Sequence, residues 1–229
     1  MKIRTIRPIL INIFICGIMI FFMINCGSIT SVRPIGQGKQ SISFAVGGPF
    51  AKYYGGSKPI PYGLLRYRRG LSDRTDIFSS LHLTPAIFGV VGIDCGVAKQ
   101  FTQQDGKKPS LTVGTALNFF IQAYDTSHSL SFDASTIRPF PQIYAIGSYT
   151  LKGHLLYFGL DNMLQWQSPY LVSAIVIGSE MKWSNLFRTT LETRWYAPWE
   201  NSVFRTVHYT APIQEHGDVG VILGFNFYL

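Results

Sequence analysis

The chain has 229 residues and a formal net charge of +8, yet Asp, Glu, Lys and Arg together make up only 14% of it. A typical soluble domain carries ~25% charged residues, so a water-soluble globule fits poorly. Aromatics reach 14%, and there are 22 glycines but three cysteines, too few for a disulfide framework.

Residues 1–25 read as a lipoprotein-type signal peptide. Lys2, Arg4 and Arg7 form a basic start, and residues 9–24 are apolar apart from Asn12, Cys16 and Gly17. Removing these three cations lowers the formal charge from +8 to +5. That remainder is scattered, which argues against a nucleic-acid partner. The run Met23-Ile24-Asn25-Cys26-Gly27-Ser28 resembles the relaxed lipoprotein box of spirochaete proteins. The resemblance implies an acylated Cys26 thiol, with Cys26 as the new N-terminus. Two other readings stay open. One is an ordinary signal cleaved after Ser28 or Ser31. The other is an uncleaved anchor helix, for which the apolar run is barely long enough to cross ~30 Å of hydrocarbon. Residues 26–36 then form a linker, and residues 37–229 form one domain.

After residue 30 no amphipathic helix of useful length appears. Alternating segments separated by turn residues recur instead, which predicts an all-β chain. Ten strands are expected, over 38–47, 60–69, 74–84, 87–99, 110–122, 141–151, 154–164, 173–183, 186–196 and 217–229. Most show two distinct faces. In the fifth, Leu111, Val113, Leu117, Phe119 and Ile121 alternate with Thr112, Gly114, Ala116, Asn118 and Gln122. In the seventh, Leu156, Phe158 and Leu160 oppose Tyr157, Gly159 and Asp161. In the ninth, Phe187, Leu191 and Trp195 oppose Arg188, Thr190, Glu192 and Arg194. The sixth is ambiguous. Cys95, alone on an apolar strand face, is expected to be a small buried hydrophobe.

The connections alternate in length. With both termini on one side, the turns there are 70–73, 100–109, 152–153 and 184–185. The opposite side carries 48–59, 85–86, 123–140, 165–172 and 197–216. The last strand ends on Gly224-Phe225-Asn226-Phe227-Tyr228-Leu229, with Val219, Val221, Leu223, Phe225, Phe227 and Leu229 on one face. This closing strand, with the Gly70-Leu-Ser-Asp-Arg-Thr-Asp76 turn, resembles small bacterial outer-membrane β-barrels. In that group short turns face the periplasm and long loops face outward. The resemblance implies an up-and-down antiparallel barrel of about ten strands, located in the outer membrane. Gly224, Phe227 and Leu229 would be the signal read by the barrel-assembly machinery, although Ile222 stands where a polar residue is usual. The partners implied are outer-membrane lipid, that machinery during biogenesis, and a surface ligand at the outer loops. The barrel is expected to be a monomer.

Alternation alone also fits a soluble lipocalin-like barrel on a lipid anchor, with its apolar face inward around a ligand. Three features favour the membrane. The non-apolar faces carry Gly, Ala, Ser, Thr and Asn where a solvated face would carry Lys and Glu. The strands have the length a tilted crossing needs. Tyr62, Trp166, Tyr170, Trp183, Trp195, Trp199, Phe227 and Tyr228 gather at strand ends, as interfacial girdles do.

On the inward faces stand Asp76, His82, Asp94, Asp161, Glu180, Lys182, Arg188, Glu192 and Arg194. Glu180 and Lys182 lie on the strand paired with the one bearing Arg188, Glu192 and Arg194, so cross-strand ion pairs are expected. They would plug the lumen; a charged constriction passing solutes is the other reading. No catalytic set is assigned. Ser127-His128-Ser129, with Asp125 or Asp133, and His154 lack the geometry of a nucleophile and its base. His208 and His216, with Glu215 and Asp218, lack metal-site spacing. No phosphate loop or dinucleotide fingerprint occurs, and no cofactor or metal is expected. The expected role is structural, or surface interaction through loops 123–140 and 197–216.

Overall fold

In a computed structural model the chain is described over residues 30–53, 56–59, 62–87, 89–123, 137–166, 170–201 and 211–229. Its strands are β1 (Gln40–Tyr53), β2 (Gly56–Pro59), β3 (Gly63–Ser72), β4 (Thr75–His82), β5 (Val90–Thr102) and β6 (Ser110–Gln122). They continue as β7 (Arg138–Leu151), β8 (His154–Leu164), β9 (Leu171–Lys182), β10 (Phe187–Asn201) and β11 (His216–Tyr228). One short helix, α1 (Leu83–Ile87), joins β4 to β5.

Each long strand pairs antiparallel with its neighbour in sequence, and β11 returns to pair with β1. Among the described residues this makes a closed up-and-down barrel of ten strands. β2 is a short extra strand that folds back on the far end of β1. Closure leaves the barrel strands without a free edge, which is the condition for burying a sheet in lipid. The predicted strands therefore stand, with shifted ends. The first runs on to Tyr53. The fourth starts only at Val90, because residues 83–87 coil into α1.

The direction of the two faces decides what kind of barrel this is. On β3, Leu65 and Tyr67 point out and are 42% and 41% exposed, whereas Arg66 and Arg68 point in and are 5% and 7% exposed. On β8, Leu156, Phe158 and Leu160 point out, while Tyr157 and Asp161 are buried. The apolar face is outside and the charged face inside, the inverse of a soluble barrel. The ambiguous sixth strand of the sequence, now β7, resolves in the same way: Tyr144, Ile146 and Ser148 are buried and Ile143 is exposed. Cys95 corrects an expectation. It lies on the outward face and is exposed, because its neighbour Asp94 takes the interior position.

Small residues inside make room for rings. Gly114 sits opposite Tyr144, and Gly178 opposite Tyr157, in direct strand register. A Cβ on Gly114 would lie 2.1 Å from the Tyr144 ring, and one on Gly178 2.4 Å from the Tyr157 ring. Tyr144, Tyr157, Phe78, Ile146 and Val176 thus form an apolar layer within the lumen. Gly178→Val should displace Tyr157 and cost ~1–3 kcal/mol by overpacking. The check is a lower temperature at which the folded, fast-migrating gel band converts to the unfolded one.

Candidate functional site

One end of the barrel, here the lower mouth, carries both the start of β1 and the end of β11, with the turns after β3, β5, β7 and β9. The connections after β4, β6, β8 and β10 join strand ends at the upper mouth. From the lower rim the residues preceding β1 turn into the lumen and climb it. The Gln37 amide donates to Asp73 in the β3–β4 turn, and the Gly38 amide donates to the Gly70 carbonyl. Gly70 is required there, since a Cβ would lie 1.9 Å from the Gly36 carbonyl oxygen.

Further in, the Ile35 amide donates to Asp76 Oδ2 at 3.1 Å, and Arg68 Nη2 donates to the Arg33 carbonyl at 2.7 Å. The Arg33 guanidinium spreads across the floor, donating to Ser148 Oγ, Thr150 Oγ1 and Gln104 Oε1. Val32 joins the apolar layer, and Thr30 Oγ1 accepts from Arg194 Nη2 at 2.8 Å. Thr30, Ser31 and Val32 are all buried. The described part of the predicted linker is therefore a lumen insert, hydrogen-bonded to β3, β4, β7 and β10.

Around this insert the interior charges pair in tiers. Lowest are Arg188–Glu180 at 2.8 Å and Arg68–Asp76 at 2.6 Å. Arg188 also stacks its guanidinium 4.5 Å over the Tyr228 ring. Higher, Arg66 lies 3.5 Å from Asp94, and Ser80 Oγ bridges them by accepting from Arg66 Nε and donating to Asp94 Oδ1. His82 Nε2 lies 3.2 Å from the same carboxylate, and its Nδ1 meets the Tyr62 hydroxyl. At mid-height Arg194 bridges two buried carboxylates, Asp161 at 2.7 Å and Glu192 at 2.5 Å. Gln142 donates to Asp161 and the Tyr157 hydroxyl donates to Glu192. Pairing and hydrogen bonding together offset the desolvation of charges held this far from water.

Eight of the nine ionisable residues expected inside belong to these tiers. Lys182 does not: it stands exposed at the lower rim, lining the lower cavity opposite Arg188 in strand register. The sequence reading passed over Arg66 and Arg68, although they alternate with Leu65 and Tyr67 and so carried the same period-two signal. It also passed over the insert, which pairs with no strand and shows no periodicity.

Two cavities flank the insert. The lower one, about 540 Å³, is lined by Thr30, Val32, Arg33, Lys39, Arg68 and Arg188 among others. The upper one, about 240 Å³, is lined by Tyr62, His82, Phe120, Asp161, Arg194 and Tyr196 among others. The Thr30–Arg194 hydrogen bond forms part of the wall between them. Such a lumen can hold or exclude small polar solutes, with cations dominating its lower half.

The remaining expected sites fall elsewhere. Gly224 faces Ala45 and Thr190 in the β1–β11–β10 register, Phe227 points outward against Phe187, and the Leu229 amide donates to Gln40. Ile222, at the position where a polar residue is usual, is fully buried with Ala45 and Leu64. His154, Glu215 and His216 are exposed, and Asp218 is buried, accepting from the Ala211 amide. Among the described residues no three His, Cys, Asp or Glu side chains cluster to hold a metal. Cys26, Ser127, His128, Ser129, Asp125, Asp133 and His208 lie outside the described residues, as do the rest of 124–136 in the expected loop 123–140 and of 202–210 in the expected loop 197–216.

No family model matches the chain, and no curated protein matches it. Solved structures similar to it include the N-terminal β-barrel domain of Pseudomonas aeruginosa OprF, at 12% identity over 85% of this chain and 99% of that one, with a TM-score of 0.39. An outer membrane channel from Pseudomonas putida F1 is similar at 9% identity over 89% and 100%, TM-score 0.49. The NanC porin is similar at 9% identity over 83% and 100%, TM-score 0.44.

Proposed function

We propose that the chain is an outer-membrane β-barrel whose lumen is closed at rest and whose role is structural and surface-interactive rather than enzymatic. One observation carries this reading: a closed barrel with an apolar outer wall and an interior in which Asp76, Asp94, Asp161, Glu180 and Glu192 each meet an arginine. An outer wall of Leu, Ile and Phe is stable only against lipid, and closure leaves no strand edge for water to satisfy. The interior charges sit in pairs around a segment of the chain's own N-terminal region, so nothing in the rest state calls for a permeating solute. The connections between β6 and β7 and between β10 and β11, within the expected loops 123–140 and 197–216, are the surfaces offered to a partner. No cofactor, metal or nucleic acid enters this reading.

The test uses the full chain with Cys26→Ser, so that no acyl group at that position can hold it. Membranes are washed with alkaline carbonate, and the purified protein is then reconstituted in planar bilayers. Retention in the outer-membrane pellet with no resolvable conductance is the expected result. Release as a folded soluble domain would sink the membrane reading. Steady conductance from the full-length protein would instead favour the narrow-pore reading, for which the two flanking cavities are the relevant observation.

A further inference from the structure

Over the whole described lumen, the five guanidiniums of Arg33, Arg66, Arg68, Arg188 and Arg194 match the five carboxylates of Asp76, Asp94, Asp161, Glu180 and Glu192 in number. They do not match in height. Asp94, Asp161 and Glu192 stand at mid-height and above, with Arg66 and Arg194. Below them Arg33, Arg68 and Arg188 share Asp76 and Glu180, and Lys39 and Lys182 line the same lower cavity from the rim. Five side-chain cations there face two side-chain carboxylates.

Those carboxylates leave much of the donor set unused. Among the described residues Arg33 makes no ion pair. Its guanidinium donates to neutral oxygens of Ser148, Thr150 and Gln104, and Glu180 acts on it only at longer range. Lys39 and Lys182 are exposed and have no carboxylate partner among the described residues. Deeper in, Arg68 and Arg188 each place a terminal nitrogen on a carboxylate, at 2.6 Å and 2.8 Å. The Nε–H of each is nevertheless buried with no acceptor among the described residues. Arg68 is 7% exposed, so its idle donor is costly. Both side chains line the cavity, and the two guanidiniums lie within coulombic range of each other. An anion between them would satisfy both donors and relieve their repulsion.

The donor set also indicates which anion. Single N–H groups from separate side chains, with two long ammoniums at the rim, suit several acceptor oxygens and more than one negative charge. A phosphate monoester offers three such oxygens and a charge near −2; a lone carboxylate offers two oxygens and one charge. A cavity of about 540 Å³ has room for that group and a small organic remainder, given that one water takes ~30 Å³.

We propose that the lower cavity binds a small soluble phosphate monoester, which bridges Arg33 on the insert to Arg68 and Arg188 on the wall. Lys39 and Lys182 add charge at the rim, where the ligand enters. The bound anion ties the insert to β3 and β10, so it strengthens the closed barrel rather than passing through it. The site rests on the closed-lumen reading for the insert that carries Arg33. Conductance tests that reading and ligand binding tests this one, so the two fail separately.

The full chain, folded in a maltoside detergent, is titrated calorimetrically with glycerol 3-phosphate, with glycerol and sodium chloride at matched ionic strength as controls. Saturable binding of one equivalent is expected, with no such binding of glycerol or chloride. Lys39→Gln/Lys182→Gln should weaken it about tenfold or more, and so should Arg33→Gln, since each removes charged donors. Both variants leave Asp76 and Glu180 with their arginines, and the gel shift between folded and unfolded bands verifies that they fold. Heat no greater than that of matched chloride, or unchanged affinity in both folded variants, would overturn the proposal. Binding of dihexanoyl phosphatidate without binding of glycerol 3-phosphate would overturn it too, because the phosphate would then belong to a lipid headgroup at the rim.

Discussion

Arg194→Ala should destabilise the barrel more than any other single interior substitution. It removes the cation shared by Asp161 and Glu192 and leaves both carboxylates buried. Breaking a buried pair by deleting one partner costs about 3–5 kcal/mol, because the orphaned charge stays desolvated. It also releases Thr30 from its hydrogen bond. The measurement is urea unfolding in detergent, followed by the gel shift between folded and unfolded bands. The companion variant Asp161→Asn/Glu192→Gln/Arg194→Met, which removes charge on both sides, should recover most of the loss. Equal loss in both would mean that packing volume rather than charge sets the stability of this tier.

Deleting residues 30–35 should convert a silent barrel into a conducting one. The insert fills the axis between the 540 Å³ lower cavity and the 240 Å³ upper cavity. With it gone, Arg68, Arg188 and Lys39 line an opened lower lumen in which Asp76 and Glu180 are the described carboxylates. The cationic excess predicts a preference for anions. Single-channel recording should show steps at least about ten-fold above any background from the full-length protein, with a reversal potential displaced toward the anion. A deletion variant that folds, resists carbonate and remains silent would mean that the strand-borne side chains alone close the lumen.

Much of the barrel was legible because its signal is periodic. Strand residues alternate faces with a period of two, so Leu65, Tyr67 and Leu156, Phe158, Leu160 declare one wall while Asp76, Asp94, Asp161 and Glu192 declare the other. Turns were legible for a related reason: Lys152 and Gly153, both at positive φ, form the two-residue reversal that so short a connection demands. The same rule applied fully to β3 would have found Arg66 and Arg68. Cys95 was misplaced because an apolar strand face was taken for a buried one; in this barrel the apolar face is the outer surface.

The insert was not legible, and the reason is physical. Residues 30–35 make no ladder, so they carry no period, and their lumen position comes from single hydrogen bonds to residues 35 to 164 positions away. The same holds for which cation meets which carboxylate. Register places Arg194 opposite Val176 and Gly220, yet its guanidinium reaches along β10 to Glu192 and across β9 to Asp161 on β8, a choice made by side-chain length inside a curved wall.

By itself, then, the sequence determined the all-β class, the strand positions, the two faces and most of the interior charges, since each follows from local alternation and turn chemistry. Only the tertiary structure decided that the first and last strands close on each other, that Thr30–Ile35 occupies the axis, and that Asp161 and Glu192 share one arginine. Those outcomes depend on contacts between distant parts of the chain, which a period of two cannot encode.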